Sequence, residues 1–450
     1  MKKMCFALGI LFLPYLAKAQ ILININETSN KTYPLAMAPF HAFTGSSRTI
    51  DPAVLAFQRT VKSDLALIKV FHFIPEKAFL EPTSQSRVVD ARKINFSFWT
   101  MIDTYALIKG LYRKDEDTIT IEAHLYDVLT KKEIMARRYK GAENQINNMA
   151  HAFANSVLTA LTGQEGLFDT KIAFICRPKT NKELCMMHFN GEQYETLTQH
   201  NSITLSPQWS KDGQEIFYTS FVKNKPALFK YSLVEKRNHK MAALQYSTIG
   251  LALDPIQNWL LTTLNIGKNH DLYFLNLQGN IISRKTTSKG IDVSASFSPD
   301  GKQFVFVSGR HGSEQIYTMD RNEKGSKAKR ITFKGKANSS PAWSPKGDKI
   351  AFSGVDTDNE ADIFIVDPDG SNMERLTYDT QSNEDPSWSP DGNFILFTSD
   401  RSGTKQIYMM RADGSKQTQL TDQKWDHFMP TWQPKISLQK TPENIISMLH

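Results

Sequence analysis

The second part of the chain repeats a short block, an aromatic residue followed by Ser, Pro, Asp and Gly, at nearly constant spacing. The six copies, two of them degenerate, begin at Trp209, Leu253, Phe297, Trp343, Trp388 and Trp432. Successive copies begin 44 to 46 residues apart. A repeat of this length is typical of β-propellers, in which each repeat is one supersecondary unit.

Each repeat carries the pattern of four short strands. After Trp388, apolar strands are predicted at Phe394–Thr398 and Gln406–Met410, and a short edge strand ends at Leu420 and Thr421. Short strands separated by Pro, Asp and Gly turns predict a propeller blade. The aromatic residue that heads each block is predicted to pack between neighbouring blades.

Six blades are predicted, and the array closes on itself. Their second strands are expected to begin at Lys171, Gln214, Asn258, Lys302, Asp348 and Asn393. The blade that begins at Lys171 has no innermost strand of its own, whereas residues 430–434 form an innermost strand without a blade. Pairing the two would close the ring and leave only short, protected sheet edges.

Residues 20–168 lack the repeat and are predicted to form an α+β domain. Helices are predicted over Pro52–Leu67 and along an apolar stripe from Ile146 to Leu161 that ends at Gly163. Strands are predicted at residues 34–40, 70–74, 105–112, 118–127 and 133–139. The predicted fold is therefore an α+β N-terminal domain (20–168), an all-β six-bladed propeller of four-stranded blades (169–436) and a C-terminal tail (437–450).

Residues 1–19 are predicted to be a secretory signal peptide. Lys2 and Lys3 precede an apolar run, and Ala19 ends a small-residue cleavage site, so the mature chain would begin at Gln20. The apolar run of roughly 13 residues is shorter than the ~18 that an uncleaved membrane anchor needs. The exported product is expected to be soluble and not membrane-spanning.

Charge and cysteine content restrict the classes of partner and compartment. Lys and Arg number 54 against 46 Asp and Glu, and the basic residues are scattered, which does not indicate nucleic-acid binding. The mature chain retains Cys176 and Cys185 in a predicted hairpin. In an oxidising compartment they form one cross-strand disulfide; otherwise they are two small apolar strand residues. Both alternatives stay open at the level of sequence.

Four phrases outside the repeat resemble one known family. They are Pro34–Phe40 (PLAMAPF), His124–Val128 (HLYDV), Ala160–Gly163 (ALTG) and Phe168–Phe174 (FDTKIAF). Together with the repeated blocks they identify the chain as similar to the TolB family, periplasmic β-propeller proteins of the Tol-Pal system. The phrases from Ala160 to Phe174 are the most specific, because they join an α/β domain to a six-bladed propeller.

The resemblance implies a monomeric periplasmic scaffold without chemistry or cofactor of its own. It implies that one propeller face binds a Pal-like peptidoglycan-associated outer-membrane lipoprotein, in support of outer-membrane invagination and integrity during cell division. It also implies that the mature N-terminus binds a TolA-like inner-membrane protein. The residues concerned would be Ile21, Leu22, Ile23, Asn24 and Ile25. The alternative for this segment is an edge strand docked on its own domain.

The candidate Pal-binding face follows from the order of strands. Loops that lead from an outermost strand to the next innermost strand emerge together near the propeller axis, where they can form a recognition surface. These loops carry His200, Asn201, Gly290, Asp292, Asn338, Ser339, Asn383, Glu384, Asp385, Asp426 and His427. The alternative is that they are turn residues selected for caps and Asx-turns.

Other functional classes fit less well. The chain has no Gly-x-Ser-x-Gly elbow, which argues against a propeller-gated serine peptidase. Acidic stretches at Asp356–Glu360 and Asp367–Asp369 lack the glycine of a calcium loop and are predicted to be turns. No metal site is assigned, although the carboxylates at the mouth could hold one cation and His200 and His427 could titrate there. An exported glycan or peptide binder without Tol partners remains the alternative function.

Overall fold

The computed structural model describes residues 23, 31–43, 50–324, 327–356, 360–378, 381–435 and 446–447. The predicted signal peptide, with Ala19, and the mature residues Gln20, Ile21, Leu22, Asn24 and Ile25 lie outside the described residues. So does the predicted tail, apart from residues 446–447.

The N-terminal domain is a sheet covered on one face by two long helices. Its strands are β1 (Tyr33–Met37), β2 (His41–Ala42), β3 (Phe71–Phe73), β4 (Ala106–Lys114), β5 (Ile119–Asp127), β6 (Lys132–Gly141) and β31 (Ile446–Ser447). The order is β3-β1-β4-β5-β6-β31, with β2 also paired to β4. Strand β1 runs parallel to β3 and β4, whereas β4, β5 and β6 form an antiparallel meander.

Local signals in the sequence explain where the two long helices begin and end. Helix α1 (Pro52–Leu67) begins after Asp51, whose Oδ1 accepts a hydrogen bond from the Ala53 N–H at 2.9 Å. Helix α3 (Ile146–Thr162) ends at Gly163, which has a left-handed φ of 73°. Helix α2 (Ser97–Thr100) and the 3₁₀ turns Glu76–Ala78, Glu143–Gln145 and Val222–Asn224 complete the helical elements.

Six four-stranded sheets make up the propeller, as the repeat predicts. From innermost to outermost strand, blade 1 is β10 (Thr204–Trp209), β11 (Glu215–Ser220), β12 (Ala227–Ser232) and β13 (Arg237–Ala243). Blade 2 is β14 (Thr248–Leu253), β15 (Trp259–Ile266), β16 (Asn269–Asn276) and β17 (Ile281–Arg284). Blade 3 is β18 (Asp292–Phe297), β19 (Gln303–Ser308), β20 (Gln315–Asp320) and β21 (Lys329–Arg330).

The remaining blades keep the same order of strands. Blade 4 is β22 (Ala337–Trp343), β23 (Ile350–Val355), β24 (Ala361–Val366) and β25 (Glu374–Arg375). Blade 5 is β26 (Asn383–Trp388), β27 (Phe394–Ser399), β28 (Gln406–Arg411) and β29 (Thr418–Gln419). The closing blade combines β30 (His427–Trp432) with β7 (Lys171–Cys176), β8 (Glu183–His188) and β9 (Glu195–Thr196). The predicted ring closure is thus confirmed, since β30 pairs antiparallel with β7.

The tryptophans that head the blocks pack between blades, which confirms that prediction. Trp209 and Trp388 are buried, and their indole N–H groups donate to Thr431 O and Ala342 O of the neighbouring blades at 3.1 and 3.0 Å. The Gly of the block has a positive φ; at Gly301 it is 65°, and an added Cβ would lie 2.7 Å from Ile256. Both the aromatic residue and the glycine of the repeat therefore have structural causes.

The N-terminal domain packs on one face of the propeller through a buried polar cluster. Asp64 of α1 is fully buried, with Oδ2 2.7 Å from Nδ1 of His151 on α3. Asn190 of the propeller donates to Asp64 Oδ1 at 3.0 Å. Arg411 of blade 5 also donates to the Ile68 carbonyl at 3.0 Å. These hydrogen bonds fix the domains relative to each other, because breaking one would leave a buried polar group unpaired.

The two cysteines of the mature chain lie on neighbouring strands of the closing blade. In the structure Cys176 and Cys185 are joined as a disulfide, with Cα atoms 5.9 Å apart. Both residues are buried and contribute to the core shared by the two domains. The cross-link therefore holds together β7 and β8, the strands next to the ring closure.

Breaking this cross-link should destabilise the mature protein. Closing a loop of this length in the unfolded chain is worth about 2–3 kcal/mol, so the Cys176→Ala/Cys185→Ala double variant should lose that much free energy of unfolding in urea titrations. Thiol titration of unfolded, non-reduced mature protein should find no free thiol. Two titratable thiols per chain would contradict the disulfide.

Candidate functional site: the mouth of the propeller

Two sets of loops open on the same face of the propeller, here called the mouth. One set leads from each outermost strand to the next innermost strand, and the other consists of the hairpins between second and third strands. They meet because each innermost strand begins opposite the end of the second strand, as His427 opposite Cys176 and Asp292 opposite Ser308. The N-terminal domain packs on the other face, where Asn393 donates to Gln164 Oε1 at 3.2 Å.

The structure divides the eleven residues predicted for this face into two groups. Those in the exposed or half-buried group are His200, Asn201, Gly290, Ser339, Glu384, Asp385 and Asp426. Four others are buried, with exposed fractions of 0–3%: Asp292, Asn338, Asn383 and His427. These four do not lie at the surface, because each lies at the start of an innermost strand, and they support the mouth from beneath.

A threonine that recurs in the repeats makes hydrogen bonds beneath the mouth. Thr377, at the end of the blade 4 outer edge, accepts a hydrogen bond from the Ile363 N–H at 3.0 Å and donates to Asp362 Oδ1 at 2.5 Å. Asn383 of the next blade donates to the same carboxylate oxygen at 3.2 Å. We call this arrangement the threonine bridge, because it ties the third strand of one blade to the first strand of the next.

The contact between this threonine and the third strand recurs in four other blades. The equivalent threonines are Thr198, Thr286, Thr332 and Thr421, each of which accepts from a third-strand N–H at 2.9–3.0 Å. In blade 3, Gln315 replaces the aspartate and accepts from both Thr332 and Asn338 at 2.9 Å. The signal in the sequence was the Leu-Thr or Ile-Thr pair that ends most repeats, whose function cannot be inferred without the pairing register.

The six innermost strands line an axial channel of about 670 Å³. Each strand contains one residue with positive φ, between 49° and 70°, at a break in the pairing register. These residues form a ring: Ser206, Gly250, Ser294, Ser340, Asp385 and Met429. Such β-bulges turn side chains and backbone groups toward the channel at equivalent heights.

Asp385 is the acidic member of this ring, and its carboxylate is engaged within the protein. It accepts hydrogen bonds from Ser340 Oγ at 3.0 Å and from the Met429 N–H at 3.3 Å. Burial, followed by the neighbouring Glu384 carboxylate, raises the pKa of Asp385. Substitution of Asp385 would therefore disturb the ring itself, whereas Glu384 is the better probe of the surface.

The other carboxylates considered for a cation are already in ion pairs. Asp292 pairs with Arg310 at 3.2 Å, Glu384 with Lys405, and Asp426 with Arg177. Among the residues that the structure describes, no three His, Cys, Asp or Glu side chains are grouped to hold a metal ion. These arginine and lysine partners already supply the positive charge that a cation would bring to these carboxylates.

One residue of the predicted N-terminal segment is described. Ile23 is buried, and its N–H donates to the Leu161 carbonyl near the end of α3 at 2.8 Å. At this position the segment docks on its own domain. Within the described ranges no helix is long and apolar enough to cross a bilayer.

Comparisons with known proteins agree on one family. The model of the TolB amino-terminal domain matches residues 21–134, and that of the TolB β-propeller domain matches residues 158–358 and 337–440. The protein TolB homolog of Chlorobium luteolum is 32% identical over 379 residues, which covers 83% of this chain and 84% of the relative. The Tol-Pal system protein TolB of Desulfosudis oleivorans is 34% identical over 271 residues, 60% of each chain.

A solved structure extends the likeness to both domains. The crystal structure of TolB from Acinetobacter baumannii superposes with a TM-score of 0.75 at 25% sequence identity. The match covers 90% of this chain and 97% of the solved chain. The arrangement of an α+β domain on a six-bladed propeller is therefore shared.

His427 should make the mouth sensitive to acid. Burial lowers its pKa to about 4, and neither ring nitrogen has a hydrogen-bond partner within the described residues. The unfolded chain binds the proton near pH 6.5 and the folded chain does not, so stability falls as the pH drops from 6.5 toward 4. His427→Phe keeps the ring contacts with Phe174 and Tyr194. In urea titrations the variant should therefore show a difference in free energy of unfolding between pH 7.5 and pH 5 that is smaller by about 2 kcal/mol. An unchanged difference would contradict the lowered pKa of His427.

Proposed function

The chain belongs to the TolB family, and from this premise we propose that it is a periplasmic scaffold of the Tol-Pal system. In this proposal the mouth binds a Pal-type outer-membrane lipoprotein, and the mature N-terminus, Ile21 to Ile25, binds a TolA-type inner-membrane protein. The protein performs no chemistry; its function is to connect partners during outer-membrane invagination and to maintain envelope integrity.

The observation that carries the proposal is the construction of the mouth. Loops from the blades converge around the channel, and beneath two of them the threonine bridges join blade 3 to blade 4 and blade 4 to blade 5. A surface held in this way loses little conformational freedom when a partner binds. In the described residues the N-terminal domain contacts the opposite face, through Asn393 and Arg411, which favours access of a folded domain to the mouth.

The N-terminal segment is proposed as the second partner site from the resemblance to the TolB family. The described contact is one backbone hydrogen bond, from Ile23 to Leu161, together with burial of the Ile23 side chain. An extended segment of this kind can leave its own domain and add to the sheet of a partner. Leu161 belongs to α3, which shares a core with Phe174 and Phe394 of the propeller.

The compartment is inferred from two features. The predicted signal peptide directs export, with cleavage between Ala19 and Gln20. A buried disulfide between Cys176 and Cys185 suits the oxidising periplasm.

Partner capture from cross-linked envelopes tests the two-site proposal. Tagged mature protein should recover a lipoprotein with a peptidoglycan-binding domain and a TolA-type protein, identified by mass spectrometry. Deletion of residues 20–25 should abolish recovery of the TolA-type protein only. Glu384→Lys breaks the ion pair with Lys405 and sets two like charges side by side, which should disturb the mouth loop and weaken recovery of the lipoprotein only.

The controls distinguish the alternative function. Arg59→Ala, on the exposed side of α1, should leave both recoveries unchanged. Loss of both partners in the deletion variant, with an intact fold, would contradict two separate sites. Abundant recovery of muropeptides without any such lipoprotein would favour an exported glycan or peptide binder.

A further inference from the structure

The hairpins at the mouth divide the rim into two sectors of different charge. Hairpins 177–182, 221–226 and 267–268 contain no acidic residue. Their cations are Arg177, Lys179, Lys182, Lys223, Lys225 and Lys268. The hairpins of blades 3, 4 and 5, by contrast, all contain carboxylates, such as Glu314, Asp356 and Asp400. The first three hairpins, on the closing blade and blades 1 and 2, are called the basic sector.

Three cations converge on one aromatic ring beside the channel. Lys182 Nζ lies 4.6 Å from the centroid of Phe428, the Arg177 guanidinium carbon 5.2 Å and Lys405 Nζ 5.8 Å. A ring face attracts each cation. Because the three cations share one ring, they also lie near one another and repel. Opposite charges are therefore needed nearby.

Two of these three cations have carboxylate partners. Arg177 pairs with Asp426, and Lys405 pairs with Glu384. Lys182 has no ion pair among the described residues, although it is half-buried. Burial and then the Arg177 charge lower the pKa of Lys182, whereas the more distant Asp385 and Asp426 carboxylates raise it.

The backbone holds Lys182 in place. Its N–H donates to the Ser202 carbonyl at 3.1 Å, and its own carbonyl accepts from the Thr204 N–H at 3.0 Å. The residue is thereby fixed at the boundary of the closing blade and blade 1. Its ammonium group is an oriented positive charge at the edge of the channel.

We propose that the basic sector receives an acidic segment of the protein that docks on the mouth, with Lys182 as the anchoring cation for one partner carboxylate. This inference rests on the proposed function, because it takes the docking protein to be the Pal-type lipoprotein. A carboxylate at Lys182 would offset the repulsion among the three cations.

Calorimetric titration with the soluble domain of the Pal-type lipoprotein from the same genome tests the inference. Lys182→Met removes the charge but keeps an apolar stem on Phe428; it should weaken binding roughly 5- to 50-fold and reduce the salt dependence of the dissociation constant. Lys182→Arg should bind within about threefold of the wild type, because it keeps the charge. The matched control is Lys334→Met, an exposed lysine of the mouth outside the basic sector, which should change binding less than about twofold.

Charge exchange identifies the partner group. Lys182→Glu should abolish measurable binding, and one acidic residue of the lipoprotein domain, when changed to Lys, should restore it. Restoration by one such change and by no distant acidic residue would establish the pair. Thermal unfolding of each variant confirms that the fold is intact.

The outcomes separate the inference from the proposed function. If the wild-type chain does not bind the lipoprotein domain, the proposed function is contradicted and the inference falls with it. If the domain binds but Lys182→Met behaves like Lys334→Met, the inference alone is overturned. It is also overturned if Lys182→Arg is as weak as Lys182→Met, or if Lys182→Met loses binding to anionic muropeptides and not to the domain.

Discussion

The antiparallel pairing of β30 with β7 is the constraint on which the rest of the structure depends. It joins residues far apart in sequence: Gln433 Oε1 accepts from the Lys171 N–H, and the Gln433 N–H donates to the Lys171 carbonyl, both at 2.9 Å. Closure removes the two sheet edges that an open array would expose. The closing blade carries the disulfide, a contact with the N-terminal domain and part of the mouth. This one blade therefore connects the features to which function is assigned.

Closure and the threonine bridges together order the mouth, which is the proposed binding surface, before any partner is present. The bridges use buried polar groups that are satisfied only when neighbouring blades are in register, such as Asp362 with Thr377 and Asn383. Loops above such a frame can differ in charge without affecting the fold. In this chain the hairpins of the closing blade and of blades 1 and 2 carry cations, whereas those of blades 3, 4 and 5 also carry carboxylates.

Much of the fold could be predicted because the repeat has direct physical causes. The glycine of each block needs positive φ, and the tryptophan fills the space between blades, so both recur wherever a blade does. The site was harder to predict. Asp292 and His427 stand where a loop becomes a strand, and sequence alone does not show that this junction is buried. The disulfide stayed open for a related reason: Cys176 lies opposite Glu183 and Cys185 opposite Phe174, so the contact is diagonal and depends on register.

Hydrogen–deuterium exchange of the mature protein, with and without the soluble Pal-type lipoprotein domain, tests most directly whether the mouth is the partner surface. If the mouth is the partner surface, exchange should slow in residues 177–182, 199–204 and 421–429 when the domain is bound. Exchange should not change in the turns of the opposite face, residues 211–213, 299–301 and 390–392. Protection of those turns, or of the N-terminal domain, with no change at the mouth would contradict this assignment of the partner surface.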